Sequence, residues 1–167
     1  MADIISRSES EEQQVVELIE LLFFAYRDFI SDPDTILADL GFGRAHHRII
    51  HFVGRNPGMT VAQLLDILRI TKQSLARVLK ELIEKKYVYQ REGDQDRRQR
   101  LLHLTREGET LRSRLMAPQI ARIRRAVEES GPGSPAHYRS VLFHLISPEN
   151  RAAVQEWLGA HHCAEVA

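Results

Sequence analysis

The sequence predicts a mainly α-helical chain with one small β-hairpin. Three observations carry this. Apolar residues recur at helical spacing through most of the 167 residues. Only residues 87–91 and 100–104 read as strands, and they flank a polar stretch, 92–99, with Gly93 and two aspartates near its tip. Pro and Gly clusters cut the remaining chain into helices of ordinary length.

The first helix spans residues 11–31. Val15, Leu18, Ile19, Leu22, Tyr26 and Phe29 form its stripe, and Leu21, Phe23, Phe24 and Ile30 widen it. A stripe that wide can pack on its own domain and on a partner chain at once. Ser31-Asp32-Pro33-Asp34 is expected to stop the helix, because proline cannot continue the hydrogen-bond ladder. A second helix covers residues 42–54, with Ile49, Ile50 and Val53 apolar, and Asn56-Pro57-Gly58 is a turn. Thr60 and Thr71 are N-cap residues, each able to accept an orphan backbone N–H at the start of a short helix. Val61, Leu64, Leu65 and Leu68 form the inner face of the first of these, and Leu75, Val78, Leu79, Leu82 and Ile83 that of the second. After the hairpin, Thr105 with Glu107 and Gly108 restarts a helix that continues through Leu111, Leu115, Ile120, Ile123 and Val127, with a kink expected at Pro118. Gly131-Pro132-Gly133 breaks it. Ser134-Pro135 and Ser147-Pro148 read as caps followed by proline at the first position of two C-terminal helices.

Composition closes off several classes. Apolar residues make up 43% and charged residues 28%, which is ordinary for a globular chain. One cysteine, Cys163, excludes an internal disulfide framework and any zinc site built on several thiolates. The N-terminus has no basic segment leading into an apolar run, and the longest apolar stretch, 21–26, is far short of the roughly 20 residues that cross a bilayer. A cytoplasmic chain without a membrane partner is expected. No nucleophile motif, phosphate loop or metalloprotease motif is present, so no enzyme and no cofactor are expected.

The 23 basic and 23 acidic residues cancel, but they are not mixed. Residues 1–40 hold two arginines and ten acids, whereas residues 69–114 hold thirteen basic and seven acidic residues. The basic part coincides with two short helices joined by a tight turn, a helix-turn-helix. The second helix of such a unit can lie in the DNA major groove with its N-terminal residues against base edges. Here it begins Thr71-Lys72-Gln73-Ser74, and its buried stripe starts at Leu75, so Lys72, Gln73, Ser74, Arg77 and Lys80 project outward. Gln suits adenine and Arg suits guanine, while Thr71, Ser74 and the lysines suit phosphates. Arg97, Arg98 and Arg100 sit at or beside the hairpin tip, with Asp96 placed to orient one arginine and leave another for the minor groove or a phosphate. Arg106 is a further candidate for a phosphate.

Thr60-Val61-Ala62-Gln63-Leu64-Leu65, then Thr71 through Leu79, then Asp96-Arg97-Arg98 leading to Leu104-Thr105-Arg106-Glu107-Gly108, together resemble the MarR family of bacterial transcription regulators. The likeness is close over residues 42–112 and follows the helix order over nearly the whole chain. It implies a homodimer in which 1–41 and 109–167 form the helical dimerisation region and 42–108 a winged helix-turn-helix that binds a double-stranded, pseudo-palindromic operator. It also implies a small-molecule effector near the junction of the two regions. Asp96 and Arg98 fall on the family's wing signature, and Lys72, Gln73, Ser74 and Arg77 on its recognition helix. Two departures stand out. Lys86 occupies the position where many relatives end the recognition helix with Gly, and residues 11–31 lack the cysteine of the peroxide-sensing branch.

Histidines offer other readings. His47 and His51 are four apart on one helix face, the spacing of a two-ligand metal site that carboxylates such as Asp28 or Asp32 would complete. Tyr26, Phe42, His46 and Arg48 are candidates for the wall of an effector pocket for an anionic aromatic ligand. The alternatives to an effector-responsive DNA-binding regulator are a winged-helix protein-interaction module and a metal-responsive regulator using His47 and His51.

Overall fold

The computed structural model describes residues 2–93 and 99–162. In chain order these form α1 (Ala2–Ala38), α2 (Arg44–Arg55), β1 (Met59–Thr60), α3 (Val61–Leu68), α4 (Lys72–Glu84), β2 (Val88–Glu92), β3 (Arg100–Leu104), α5 (Arg106–Glu129), α6 (Ser134–Leu145) and α7 (Pro148–His162). The expected fold class holds, with one addition: β1 pairs antiparallel with β3, so the sheet has three strands in the order β1-β3-β2. Two residues are too few to show an alternating pattern, and β1 exists because Met59 and Thr60 line up with Leu102 and Leu101.

The buried core lies where α2, α3, α4 and the sheet meet. Ile49, Ile50, Val53, Leu64, Leu75, Leu82 and Leu102 are fully enclosed there. Each comes from the apolar stripe of its own element, so the helical period of the sequence and the packing agree. Thr60, Thr71 and Thr105 all cap as expected. Their hydroxyl oxygens accept the backbone N–H groups of Gln63, Ser74 and Gly108 at 3.2, 3.1 and 3.0 Å. At Thr60 the Gln63 side chain also accepts from the Thr60 N–H, completing a capping box.

Two expectations need correction. Pro33 does not stop the first helix, which runs on to Ala38 and ends near Gly41, a residue with φ +67°. Proline leaves the carbonyl four residues earlier, that of Phe29, without its helical donor. The buried side chain of Gln119 in α5 supplies one: its Nε2 donates to Phe29 O at 3.3 Å. The proline ring itself is fully buried. The cap of α6 is Gly133, with φ +82°, and not Ser134, whose hydroxyl instead donates to Val127 O at 2.7 Å.

Residues 10–27 of α1 are exposed in the single chain, among them Leu18, Phe23, Phe24 and Tyr26, as are Val141 and Leu145 on α6. The C-terminal half is anchored: Arg122 of α5 forms a forked pair with Asp32, and Arg44 one with Asp34. Among the described residues no helix is long and apolar enough to cross a membrane.

Replacing Gln119 with Leu strands the Phe29 carbonyl beside Pro33. The variant should lose about 1 kcal/mol of stability or more, read as a lower urea midpoint.

Candidate nucleic-acid interface

Two short helices and a tight turn present one exposed face. Helix α3 ends at Arg69, whose backbone is left-handed at φ +50°, and the chain turns through Ile70 to the Thr71 cap. Leu75, Val78, Leu79 and Leu82 fix α4 in the core. The helix can therefore rotate little, and the remaining positions face outward. Lys72, Gln73, Ser74, Arg77 and Lys80 are all exposed, as the helical period requires. Thr71 is exposed too, but its hydroxyl is engaged locally, accepting from Ser74 N–H and donating to Ser74 Oγ at 3.0 Å. It serves the helix start first.

Ion pairs tether two of the cations. Arg77 Nη1 lies 3.7 Å from Glu81, and Lys80 Nζ 3.7 Å from Glu84. Their side chains remain 73% and 75% exposed, so both cations stay open to an anionic partner while paired. Arg100 faces Glu92 directly across the hairpin and pairs with it at 2.8 Å. Asp96, Arg97 and Arg98 lie outside the described residues. Arg106 is exposed at the start of α5.

The C-terminus of α4 explains Lys86. Its φ is +61°. Lys86 N–H donates to Ile83 O at 3.0 Å and Tyr87 N–H to Leu82 O at 2.9 Å, the paired bonds of a Schellman motif. This left-handed position would suit Gly, and here a lysine occupies it at a strain cost of roughly 1 kcal/mol. Lys86 O then accepts from the Thr105 hydroxyl at 2.6 Å.

The four residues expected around an effector do not meet. Phe42 and His46 stack on each other, ring centroids 4.4 Å apart, inside the core. Arg48 is exposed and donates to Leu68 O at 3.1 Å. Tyr26 lines a separate cavity of about 1020 Å³ between α1, α5 and α6, together with Arg122, His137 and Tyr138.

The histidine pair sits in surroundings that disfavour a cation. Burial holds His47 below the usual imidazole range. Burial also pushes His51 down to about 4, and His47, Arg112 and Arg55 add like-charge repulsion. Asp32 and Asp28, the carboxylates expected to complete a site, pair with Arg122 and Arg27. Among the described residues no group of three or more His, Cys, Asp or Glu side chains is arranged to hold a metal ion.

Comparison with known proteins agrees with this geometry. The MarR family model matches residues 40–99. The HTH-type transcriptional regulator PetP of Rhodobacter capsulatus is 46% identical over 144 residues, 86% of this chain and 87% of that protein. The chain belongs to the MarR family. Among solved structures of that fold, the transcriptional regulator SlyA superposes with a TM-score of 0.65 at 14% identity, covering 86% of this chain and 98% of that one. FabT of Streptococcus pneumoniae, solved in complex with DNA, superposes with a TM-score of 0.65 at 20% identity, covering 78% and 94%. Membership places the chain among regulators and not among enzymes.

Two outcomes follow for this MarR-family chain. Lys86→Gly should raise stability by about 1 kcal/mol, seen as a higher melting temperature, because Gly adopts φ > 0 without the Cβ penalty. His51 titrates near 6.5 when unfolded and near 4 when folded. The unfolded state therefore binds the extra proton between those values, so its stabilisation is complete above pH 6.5 and declines as the pH falls toward 4. In His51→Leu, the drop in melting temperature between pH 7 and pH 5 should be smaller than in the unsubstituted protein.

Proposed function

We propose that the protein is a homodimeric, sequence-specific DNA-binding regulator that responds to a small effector. The observation that carries this reading is the exposed face of α4, where Lys72, Gln73, Ser74 and Arg77 stand together at the start of a helix rigidly seated on the core. Gln73, Ser74 and Arg77 read bases, and each well-formed bidentate contact contributes about 1–3 kcal/mol of discrimination. Lys72, Lys80 and Arg106 hold phosphates and make binding salt-dependent. Arg97 and Arg98, outside the described residues, are assigned to the flanking minor groove with Asp96 orienting one of them; Arg100 stands at the tip end of β3, across from Glu92. FabT, a protein of the same fold, was solved in complex with DNA, which supports DNA as the partner.

Homodimerisation accounts for the uncovered apolar residues of α1 and α6. A continuous apolar surface of this kind on a single chain marks an association site. The acids of α1 lie on the same helix as this apolar face, so the negative charge of residues 1–40 belongs to the association region and the basic surplus to the DNA-facing one. We assign effector control to the cavity between α1, α5 and α6 that Tyr26 lines, which lies within the association region and not at its junction with the DNA-facing one.

Retention on random duplex DNA at low salt, with release as salt rises, tests the class of function. Absence of retention would favour a winged-helix module that binds protein. Within the DNA-binding reading, Arg98→Ala should weaken operator binding about tenfold, a loss of roughly 1.4 kcal/mol, while gel filtration still shows a dimer. An unchanged mobility shift would overturn the wing assignment.

A further inference from the structure

Arg77, Glu81 and Lys85 occupy one face of α4 at successive turns, and that face looks onto the connection between α1 and α2. Lys85 Nζ donates to Leu40 O at 2.7 Å and stands 4.4 Å from the centroid of the Phe42 ring. His46 stacks on the same ring and is itself buried, with 7% exposure. Its two nitrogens are both committed. Gly43 N–H donates to Nδ1 at 3.1 Å, so the ring proton resides on Nε2. Nε2 lies 2.9 Å from Glu81 Oε2 and donates to it. The other carboxylate oxygen, Oε1, faces Arg77 Nη1 at 3.7 Å.

This is a directed chain from the Gly43 backbone amide, through the buried His46 ring and the partly exposed Glu81 carboxylate, to an exposed guanidinium. The Gly43 amide fixes the histidine tautomer, the histidine fixes one carboxylate oxygen, and the second oxygen is left aimed at Arg77. His46 is buried and fixes the Glu81 carboxylate from one side, while Arg77 at the end of the chain is 73% exposed and open to a ligand. At 3.7 Å the contact is an ion pair and not a hydrogen bond, so the carboxylate biases the guanidinium toward its side and leaves the rest of the group available for a bidentate contact.

We propose that Glu81, held by His46, is a positioning residue for Arg77 and so contributes to base discrimination without touching DNA. The proposal rests on the reading of Arg77 as a base-contacting residue. Glu81 places a negative charge beside the DNA-facing surface, so it lowers general attraction to phosphates while sharpening the one contact it orients. Its effect on specific and non-specific binding is therefore opposite in sign.

The test uses the full chain, the duplex it enriches from a random pool, and a scrambled duplex of equal length. The readout is the ratio of the two affinities. Loss of folded protein scales both affinities together and leaves that ratio unchanged. Arg77→Ala lowers the ratio if Arg77 reads a base. Glu81→Ala should then lower it at least about threefold while tightening binding to the scrambled duplex, and should have no further effect on it in the Arg77→Ala background. His46→Ala should lower the ratio in the same way. His46→Gln should restore it, since the amide can accept from Gly43 N–H and donate to Glu81. An unchanged ratio in Arg77→Ala overturns the base-reading assignment and the proposal with it. A ratio that falls in Arg77→Ala but not in Glu81→Ala overturns the proposal alone. So does an equal fall for Glu81→Ala with and without Arg77.

Discussion

The hydroxyl of Thr105 joins the three parts of the molecule that must keep their relative positions. It donates to Lys86 O, the residue that ends the recognition helix, and accepts the Gly108 N–H that starts α5. Its backbone N–H donates to Tyr87 O at 3.1 Å, at the point where the chain enters β2. The close approach needs Gly108, since a Cβ there would overlap the Tyr87 carbonyl oxygen. One side chain and one missing side chain thus bind the end of α4, the base of the hairpin and the root of α5 into a single unit. The orientation of α4 relative to the hairpin and α5 depends on this junction.

A second junction restrains α4 from the opposite side. Lys85 bonds the end of the α1–α2 connection, and Phe42 lies between Lys85 and His46. The recognition helix is therefore held at its C-terminus by two connections, one leading to α5 and one to α1. Both helices belong to the proposed association region. In the proposed dimer, a change in how two chains pack reaches the DNA-facing surface through either connection by moving a rigid helix and not by unfolding one. The uneven charge has the same division: acids accumulate on α1, and bases on the elements that α1 and α5 hold in place.

Much of this was legible in the sequence because the interactions are local. Thr60, Thr71 and Thr105 bond amides three residues away, so residue type and spacing announce the caps. The outward face of α4 follows from the same helical period that buries Leu75 and Leu82. The failures are non-local. Pro33 looked like a helix stop because the donor that compensates for it is Gln119, 90 positions from the carbonyl it serves. His46 looked like a pocket-wall residue because nothing near it in the chain reveals that Glu81 and Phe42 enclose it. Strand β1 depends wholly on its partner β3. Glu81 was unmarked as a site residue; the signal available was its position one helical turn after Arg77. The wing tip, with Asp96, Arg97 and Arg98, lies outside the described residues and stays an expectation from the family signature.

Selection of bound duplexes from a random pool by the full-length chain tests the central claim most directly. Two recognition helices related by a two-fold axis should enrich a pseudo-palindrome whose half-site centres lie about 10 bp apart, one turn of the double helix. Enrichment of a single unrepeated site, or recovery of no shared sequence at all, would contradict a dimer that reads DNA through two copies of α4.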